Sequence, residues 1–287
     1  PARPRSRRAQ APRRALCVRL RKKTHPERLL KRFKAHQYIE SRTGQGSPLS
    51  MYDLQLAEEA DMRQNFDQAR ACDRILEALR RIPVINWKCT GRKNVYEGGG
   101  ATQQMTLGMI WHRQLRVSVP SHATFRFPGL TRALLHLLER LQPRAALRGD
   151  ACDRVTSIHL TKNLVSKLHT DSNNEGWSHI IVLGDYVGGR TWAELELHEA
   201  GGKADDLSER VVHETIHGYP AGSCVPGRFL DARRELAHFD GRKLHGTEPF
   251  EGERFAIIFY CSNAWDQTPP QARLALQRLG FRLPARV

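Results

Sequence analysis

The spacing of hydrophobic residues changes about halfway along the chain. From about Ser50 to Arg81 they recur at intervals of three and four residues, as on one face of an α-helix, and Pro83 ends this pattern. A second stretch with the same spacing runs from roughly Leu130 to Leu141 and stops at Pro143. We therefore predict two amphipathic helices in the first half of the chain, with strands between them from Met105 to Val119.

From about Arg154 onward, hydrophobic residues fall in short β-rich runs separated by Gly, Asn and Pro. The runs are VTSIHL, SHIIVLG, TWAELELH, ERVVHETI, GRFLDA, ELAHFDG and RFAIIFYC. Short strands with regular turn signals and no helices between them predict an all-β core, either a barrel or a double-sheet jelly roll. The final segment QARLALQRLGF predicts a short helix capped by Gly280, so helices flank the β-core.

These patterns divide the chain into an arm and one folded domain. We expect residues 1–44 to be an arm, and Gly44-Gln-Gly-Ser-Pro48 separates it from the rest. Residues 45–287 form the domain, with a helical N-terminal support at 45–150, the β-core at 151–265 and the C-terminal helix at 268–287. This length suffices to bury a sizeable core.

The formal net charge of +16 is concentrated in the arm. Residues 1–44 hold 15 Lys and Arg against two Glu, which leaves 31 basic and 28 acidic residues for the rest. Three roles stay open for the arm: a solvated, mostly disordered tail, a segment that binds DNA through its phosphates, or an organelle transit peptide.

The six cysteines include no C-x-x-C pair, which argues against a metal knuckle and against a secreted disulfide framework. We expect an intracellular protein, and the basic arm leaves the nucleus or an organelle open. No apolar run is long enough to cross a bilayer, which excludes a transmembrane protein. The chain starts at Pro1 without an initiator Met, as a fragment of a longer protein would.

Three residues of the β-rich half have the types and spacing of a metal centre. His169 and Asp171 stand at positions i and i+2 where a strand ends, so their side chains point to the same side. His245 is a third donor more than seventy residues later. Two His and one carboxylate with three open positions form the facial triad of non-haem Fe(II) oxygenases. We therefore predict these residues as the catalytic iron ligands, with the open positions for a bidentate keto acid and O2.

Arg254 lies nine residues after His245 and begins the apolar strand from Phe255 to Cys261. The Pro and Gly residues of the intervening segment 247–253 are typical of a hairpin connection, which would place the two side chains on neighbouring strands. Because a guanidinium pairs with a carboxylate through two parallel hydrogen bonds, we predict that Arg254 binds the distal carboxylate of 2-oxoglutarate.

The segments LHTDSNNEGWSHIIVLGDYVGGRTWAELE and FDGRKLHGTEPFEGERFAIIFY resemble the double-stranded β-helix oxygenases of algae and dinoflagellates. Those enzymes are relatives of the ten-eleven-translocation and J-binding-protein dioxygenases, which oxidise thymine or 5-methylcytosine in DNA. The resemblance covers about residues 105–265. It implies Fe(II) at His169, Asp171 and His245, and 2-oxoglutarate at Arg254.

The same resemblance places three further polar residues near the motif as candidates to line the site. They are Asn163, Asn174 and Ser178. The chain departs from the family at Ala256, where many 2-oxoglutarate enzymes carry a Ser two residues after the Arg. Part of the carboxylate clamp must then come from elsewhere, or the co-substrate differs, and ascorbate stays open.

A second motif, His213-Glu214-Thr-Ile-His217, matches the H-E-x-x-H signature of zinc metalloproteases. Zinc binding by this motif requires a helix, so that both His side chains share one face. The β-branched residues around it favour a strand instead, with His213 and His217 alternately exposed, and Pro220 ends the segment. A protease is therefore a remote alternative.

The sequence thus predicts a dioxygenase that hydroxylates a C–H bond. The resemblance and the basic arm favour a modified or methylated nucleobase in DNA, which must be flipped out of a duplex to reach the iron. A protein side chain or a small metabolite stays open as the substrate, because one fold serves many substrates. From another class, a catalytically silent nucleic-acid-binding protein also stays open.

Overall fold

The structure is a computed structural model that describes residues 66–89, 95–96, 103–113, 116–142, 154–195 and 207–284. The helices are α1 (Gln68–Arg81), α2 (His122–Arg126), α3 (Pro128–Leu141) and α4 (Pro270–Arg278), with 3-10 turns at Val84–Asn86 and Trp265–Gln267. The strands are β1 (Lys88–Cys89), β2 (Gln103–His112), β3 (Val117–Pro120), β4 (Ser157–Lys162), β5 (Asn174–Leu183), β6 (Tyr186–Gly188), β7 (Thr191–Glu194), β8 (Leu207–Val211), β9 (Cys224–Leu230), β10 (Ala237–Phe239), β11 (His245–Thr247), β12 (Phe250–Gly252) and β13 (Phe255–Ser262).

Two antiparallel sheets form the body of the molecule. The major sheet has the order β1-β2-β4-β13-β5-β10, and β3 pairs with the later part of β2, residues 109–112. The minor sheet has the order β11-β7-β9-β8, and an antiparallel bridge between His169 and His245 adds a further segment to its β11 edge. The strands β6 and β12 form a separate ribbon.

The major sheet is buried on both faces. Its outer face packs against α1, α3 and α4, and this core includes Leu107, Ile158, Leu160, Ile181, Leu183, Ile257 and Phe259. Its inner face contributes alternate residues to a second cluster with the minor sheet, which includes Ile180, Val182, Ala193, Leu230, Phe239 and Ala256. Because successive strand residues point to opposite faces, the same strands fill both cores. The predicted all-β core, a double-sheet jelly roll with flanking helices, is confirmed.

Both predicted N-terminal helices are present in the described residues with different starts, and the structure adds the short helix α2, which was not predicted. The predicted helix from Ser50 is described only from Phe66, and its first sixteen residues, 50–65, lie outside the described part. Phe66 and Asp67 precede α1, and the Asp67 carboxylate accepts a hydrogen bond from the backbone N–H of Arg70 at 3.1 Å. Asp67 is therefore an N-cap. The helix predicted from Leu130 begins at Pro128, whose fixed φ suits a first turn.

All seven predicted β runs contain a strand, but three strands, β7, β8 and β10, are shorter than their runs. β7 ends at Glu194, and residues 196–206 lie outside the described part. β8 ends at Val211, so ERVVHETI is not a strand throughout. Within the predicted N-terminal support, residues 88–120 add β1, β2 and β3 to the sheets. The short C-terminal helix is confirmed as α4, and Gly280 follows it with a φ of +101°.

None of the helices in these described ranges is both long and apolar enough to cross a membrane.

Candidate active site

The fold brings His169, Asp171 and His245 together. One ligand atom from each lies within 4.8 Å of the other two. His245 Nε2 is 3.7 Å from Asp171 Oδ2, and the two imidazole centroids are 4.2 Å apart. His245 is buried, whereas His169 and Asp171 are partly exposed. Among the described residues, this is the one group of three or more His, Cys, Asp or Glu that could hold a metal ion.

Backbone pairing fixes the positions of the three side chains. His169 and His245 exchange both backbone hydrogen bonds, at 3.0 and 3.1 Å. The N–H of Asp171 donates to the carbonyl of Gly241 at 2.7 Å. The chain from 169 to 171 is thus held along the segment from 241 to 245, and the donors converge although more than seventy residues separate them.

The imidazoles of His169 and His245 share the same hydrogen-bonding arrangement. In each ring, Nδ1 contacts the backbone carbonyl two residues earlier: Lys167 at 2.8 Å and Lys243 at 2.9 Å. A carbonyl oxygen can only accept, so Nδ1 carries the proton in both rings. Nε2 then carries the lone pair that a metal requires, and the carbonyl fixes the ring orientation.

Asn174 and Ser178 lie beside the segment that positions Asp171. The side-chain amide of Asn174 donates to Ser178 Oγ at 3.2 Å, and both residues are buried. A Cβ at Gly241 would lie 2.9 Å from Asn174 Nδ2 and 3.0 Å from Ser178 Oγ. The absence of a side chain at Gly241 therefore allows this close approach.

Arg254 is buried between the two sheets, with 2% of its surface exposed. Its Nε donates to the Gly189 carbonyl at 3.1 Å and its Nη2 to Thr191 Oγ1 at 3.4 Å, and the Tyr186 hydroxyl also interacts with it. Burial lowers the pKa of the guanidinium to about 10, and Tyr186 partly offsets this effect. In the described part of the chain, no carboxylate forms an ion pair with Arg254. The site therefore holds a buried cation surrounded by neutral oxygens.

The guanidinium and the three-residue cluster lie on the same face of the minor sheet. In the β7–β11 pair, Thr191 is opposite Thr247 and Ala193 is opposite His245. Residues i and i+2 of a strand share a face and lie about 7 Å apart. Thr191, which contacts Arg254, is therefore about 7 Å along β7 from Ala193, the residue opposite His245. Ala193 belongs to the cluster between the two sheets, which places both features in this interior.

Ala256 also belongs to this interior and has no hydroxyl to contribute. The hydroxyls beside Arg254 come instead from Thr191 and Tyr186. Sequence reasoning did not find these residues or Gly189. No local spacing connects them to Arg254, since the contacts arise only when the strands pair.

Asn163 has a different role from the one that the resemblance implies. Its Oδ1 accepts from the backbone N–H of Arg254 at 2.8 Å, and its own N–H donates to the Arg254 carbonyl at 2.8 Å. Asn163 is exposed and has a φ of +51°, a left-handed conformation that Asn tolerates. It therefore holds the backbone of Arg254 and does not line the pocket.

The H-E-x-x-H segment forms neither a helix nor a strand. β8 ends at Val211, and Ile216 and Tyr219 then exchange backbone hydrogen bonds across a tight turn. His213, Glu214 and His217 are exposed. The expected strand over these residues is wrong, because the turn at Gly218 reverses the chain. In the described residues they are not part of a group that could hold a metal.

Comparison with known proteins gives little similarity. No family model matches the chain, and no curated protein matches it. A solved structure described as "The structure of OsALKBH1" is similar over 70% of this chain and 96% of that chain, with 14% identity and a TM-score of 0.32. These values assign no family to the protein.

Proposed function

We propose that the protein is an Fe(II)- and 2-oxoglutarate-dependent dioxygenase that hydroxylates a C–H bond. One observation carries this proposal. A His-Asp-His cluster shares the space between the sheets with a buried guanidinium. The guanidinium contacts Thr191, which lies about 7 Å along β7 from Ala193, the residue opposite His245. Such a pair fits a ligand that binds a metal at one end and presents a carboxylate at the other.

The donor set fits Fe(II). His169 and His245 each present Nε2, and Asp171 presents a carboxylate oxygen, so two imidazoles and one carboxylate meet at one point. This set with open positions is typical of non-haem Fe(II) oxygenases. When bound, Fe(II) supplies the redox chemistry that converts 2-oxoglutarate and O2 to succinate and CO2 and inserts one oxygen atom into the substrate.

Arg254 fits the distal carboxylate of the co-substrate. A buried cation without an anionic partner carries a large desolvation penalty, and an incoming carboxylate offsets it. Two of the five guanidinium N–H groups donate to Gly189 and Thr191, so others are available for a carboxylate. We propose 2-oxoglutarate rather than ascorbate as co-substrate, because this pocket offers a cation fixed for a carboxylate.

The inner cluster completes the chemical environment. Ile180, Val182 and Phe239 are each at most 6% exposed, and the Phe239 ring lies 4.8 Å from the His245 ring. These apolar side chains exclude water from the space between the anchor and the metal ligands. Electrostatic interactions between Arg254 and a bound carboxylate are stronger there than in water.

For the substrate we propose a modified or methylated nucleobase in DNA. The resemblance of the two site segments and the charge of the arm support this proposal. The arm lies outside the described residues, so its contribution rests on sequence alone. A base in a duplex would have to leave the stack to reach the metal centre.

The test is succinate formation from 2-oxoglutarate by purified protein supplied with Fe(II), alongside the metal content. We expect Asp171→Ala and His245→Ala to abolish succinate formation, because each removes a metal ligand. Glu214→Gln is the control, and it should retain wild-type activity because Glu214 is exposed in the loop after β8. Undiminished turnover in both ligand variants would contradict the metal assignment, and bound zinc without succinate formation in the wild type would contradict the proposed function.

A further inference from the structure

The segment with the H-E-x-x-H motif folds over the outer face of the minor sheet, the face turned away from the major sheet. Residues 212–223 turn back on themselves, and their apolar side chains join a cluster with residues of the sheet. The cluster includes Leu168 and Leu244, which immediately precede the two histidines of the candidate metal centre. Because successive residues of an extended chain point to opposite sides, the segment lies behind the metal ligands.

Tyr219 connects this segment to Glu194 at the end of β7. Its hydroxyl donates to Glu194 Oε2 at 2.6 Å, and the backbone N–H of Leu244 donates to the same oxygen at 3.2 Å. The backbone N–H of Glu194 donates in turn to the Leu244 carbonyl at 2.9 Å. Burial raises the pKa of Tyr219, and the hydrogen bond to Glu194 adds to this effect, so the hydroxyl keeps its proton and acts as the donor. Glu194 thus holds both polar backbone groups of the residue before His245.

The N–H that donates to Glu194 belongs to the same peptide group as the carbonyl that orients His245. The N–H of Leu244 and the C=O of Lys243 lie in one plane and point in opposite directions. The Lys243 carbonyl accepts from Nδ1 of His245 at 2.9 Å. An unbroken chain of hydrogen bonds therefore runs from Tyr219 through Glu194 and this peptide group to the imidazole.

The charge of Glu194 at one end of this chain affects the metal-binding atom at the other. Hydrogen bonds in series polarise one another, so an amide whose N–H donates to an anion has a carbonyl oxygen that accepts more strongly. A stronger hydrogen bond at Nδ1–H makes Nε2 of the same imidazole a more basic ligand. In many metal centres a carboxylate accepts directly from the bound histidine, whereas here one peptide group lies between them.

His169 provides an internal reference for this effect. Its Nδ1 contacts the Lys167 carbonyl at 2.8 Å, in the same way as in His245. The N–H of that peptide group belongs to Leu168, and among the described residues no carboxylate accepts from it. The two imidazoles therefore differ in what lies behind the carbonyl that orients each ring.

We propose that Glu194, held by Tyr219, is a positioning residue of the metal centre, which acts through the 243–244 peptide group to strengthen Nε2 of His245 as a metal ligand. This inference rests on the metal assignment of the proposed function. It gives the H-E-x-x-H segment a role in metal binding that does not use the His or Glu side chains of the motif.

The experiment measures Co(II) binding by the full chain and requires no turnover. Co(II) binds imidazole and carboxylate ligands as Fe(II) does, and it shifts the Nδ1–H resonances of coordinated imidazoles in the proton NMR spectrum. Glu194→Gln keeps the shape of the side chain and an accepting oxygen but removes the charge. We expect about a tenfold loss of Co(II) affinity, the lower end of the usual effect of changing a partner of a metal-bound histidine. One of the two shifted N–H resonances should move, and the other should stay.

Two further variants complete the test. Tyr219→Phe keeps the aromatic ring in the apolar cluster and removes the hydroxyl that holds Glu194, so it should move the same resonance. Glu209→Gln is the matched control, because Glu209 is an exposed carboxylate of the same sheet that contacts Cys224. It should keep the wild-type affinity and both resonances. Thermal unfolding shows whether each variant is folded, and if Glu194→Gln is not, Tyr219→Phe decides.

Wild-type Co(II) affinity and unchanged resonances in folded Glu194→Gln would overturn the inference. A loss of affinity in which both resonances move equally would also overturn it, because this would indicate a general distortion of the site. Failure of the proposed function looks different. In that case the wild type itself binds no Co(II) at this site and shows no shifted N–H resonance.

Discussion

Arg254 carries a positive charge in a position that water does not reach. Its pKa is lowered by burial but stays near 10, well above neutrality, so the guanidinium remains charged. Gly189 and Thr191 contact it through neutral oxygens, which compensate for lost water only in part. Arg254 therefore lowers the stability of the unliganded fold and strengthens the binding of an anion.

This balance predicts opposite effects of Arg254→Leu on stability and on binding. Without ligand, the variant should unfold at the wild-type temperature or above, because an apolar side chain replaces a buried charge that forms no ion pair with a carboxylate of the described residues. Its affinity for 2-oxoglutarate should fall by about 30-fold or more, as expected for the loss of one member of a buried charge pair. Calorimetric titration and thermal unfolding with and without 2-oxoglutarate provide the measurements.

Arg254→Lys is the matched control, since it keeps the charge but not the planar fork. It should bind 2-oxoglutarate more weakly than the wild type and more tightly than Arg254→Leu. Wild-type affinity in Arg254→Leu would show that the carboxylate binds elsewhere.

At the residue scale, sequence could predict what depends on local spacing. The i and i+2 spacing of His169 and Asp171 predicted that they share a side. The hairpin predicted between His245 and Arg254 is wrong, because β11 pairs with β7 in the minor sheet whereas β13 lies between β4 and β5 in the major sheet. The segment between them forms β12, which pairs with β6. The roles of Thr191 and Tyr186 depend on how β6 and β7 meet β13 in space. No pattern within a short window contains that information.

At the scale of single elements, the start of α1 shows how a cap can be hidden in a longer pattern. Hydrophobic spacing runs continuously through Phe66, so it does not mark a boundary. Asp67 marks the start of α1, because its backbone is extended and its side chain accepts a hydrogen bond from the N–H of Arg70. The carboxylate also satisfies one of the backbone N–H groups that a helix start leaves without a partner.

Asp67→Ala should therefore lower the free energy of unfolding by about 1 kcal/mol, the usual effect of removing an N-cap. Asp67→Asn should restore most of the loss, because its side-chain oxygen also accepts. Glu77→Ala, which removes an exposed pair with Arg81 on the same helix, should cost about 0.5 kcal/mol or less. Urea denaturation measures all three, and an Asp67→Ala cost no larger than that of Glu77→Ala would contradict the capping role.

The H-E-x-x-H segment shows the opposite limit of element prediction. Its Val, Thr and Ile residues favour an extended backbone, and Val212 is indeed fully buried. The reversal at Gly218 nevertheless ends β8 early, because the turn determines how much of the run can pair with β9. Propensity indicated that the segment was not helical, which was sufficient to disfavour a zinc site, but it did not locate the strand end.

At the scale of the whole molecule, the alternation of polar and apolar residues in β2 and β4 does not show which face of these strands is exposed to water. A polar residue at every second position is typical of a strand with one face in water. In the structure, those positions face the space between the two sheets, and Gln104 and Thr161 are buried there. Which face is enclosed depends on the minor sheet, whose strands lie later in the chain.

An ion network links the helical layer to the segment that carries Arg254. Arg80 on α1 donates to Asp185 and to Glu253, both at 2.6 Å, and Lys162 lies 3.0 Å from Glu253. Glu253 immediately precedes Arg254. Burial alone would raise the pKa of Glu253, but the hydrogen bonds from Arg80 and Lys162 lower it below its ordinary value of 4.5.

This lowered pKa predicts how the network contributes to stability as pH changes. A carboxylate with a lowered folded-state pKa stabilises the fold above about pH 4.5, and the contribution disappears as pH falls through the folded-state value. Glu253→Gln should therefore be less stable than the wild type at pH 7, and the difference should shrink at pH 3.5 and below. Glu139→Gln, which removes a surface pair with Arg282, should show little difference at pH 7. Urea denaturation at several pH values measures this trend. If Glu253→Gln lowered the free energy of unfolding by the same amount at every pH, the loss would come from packing. It would then not come from the charge of Glu253, which links α1 to the segment that carries Arg254.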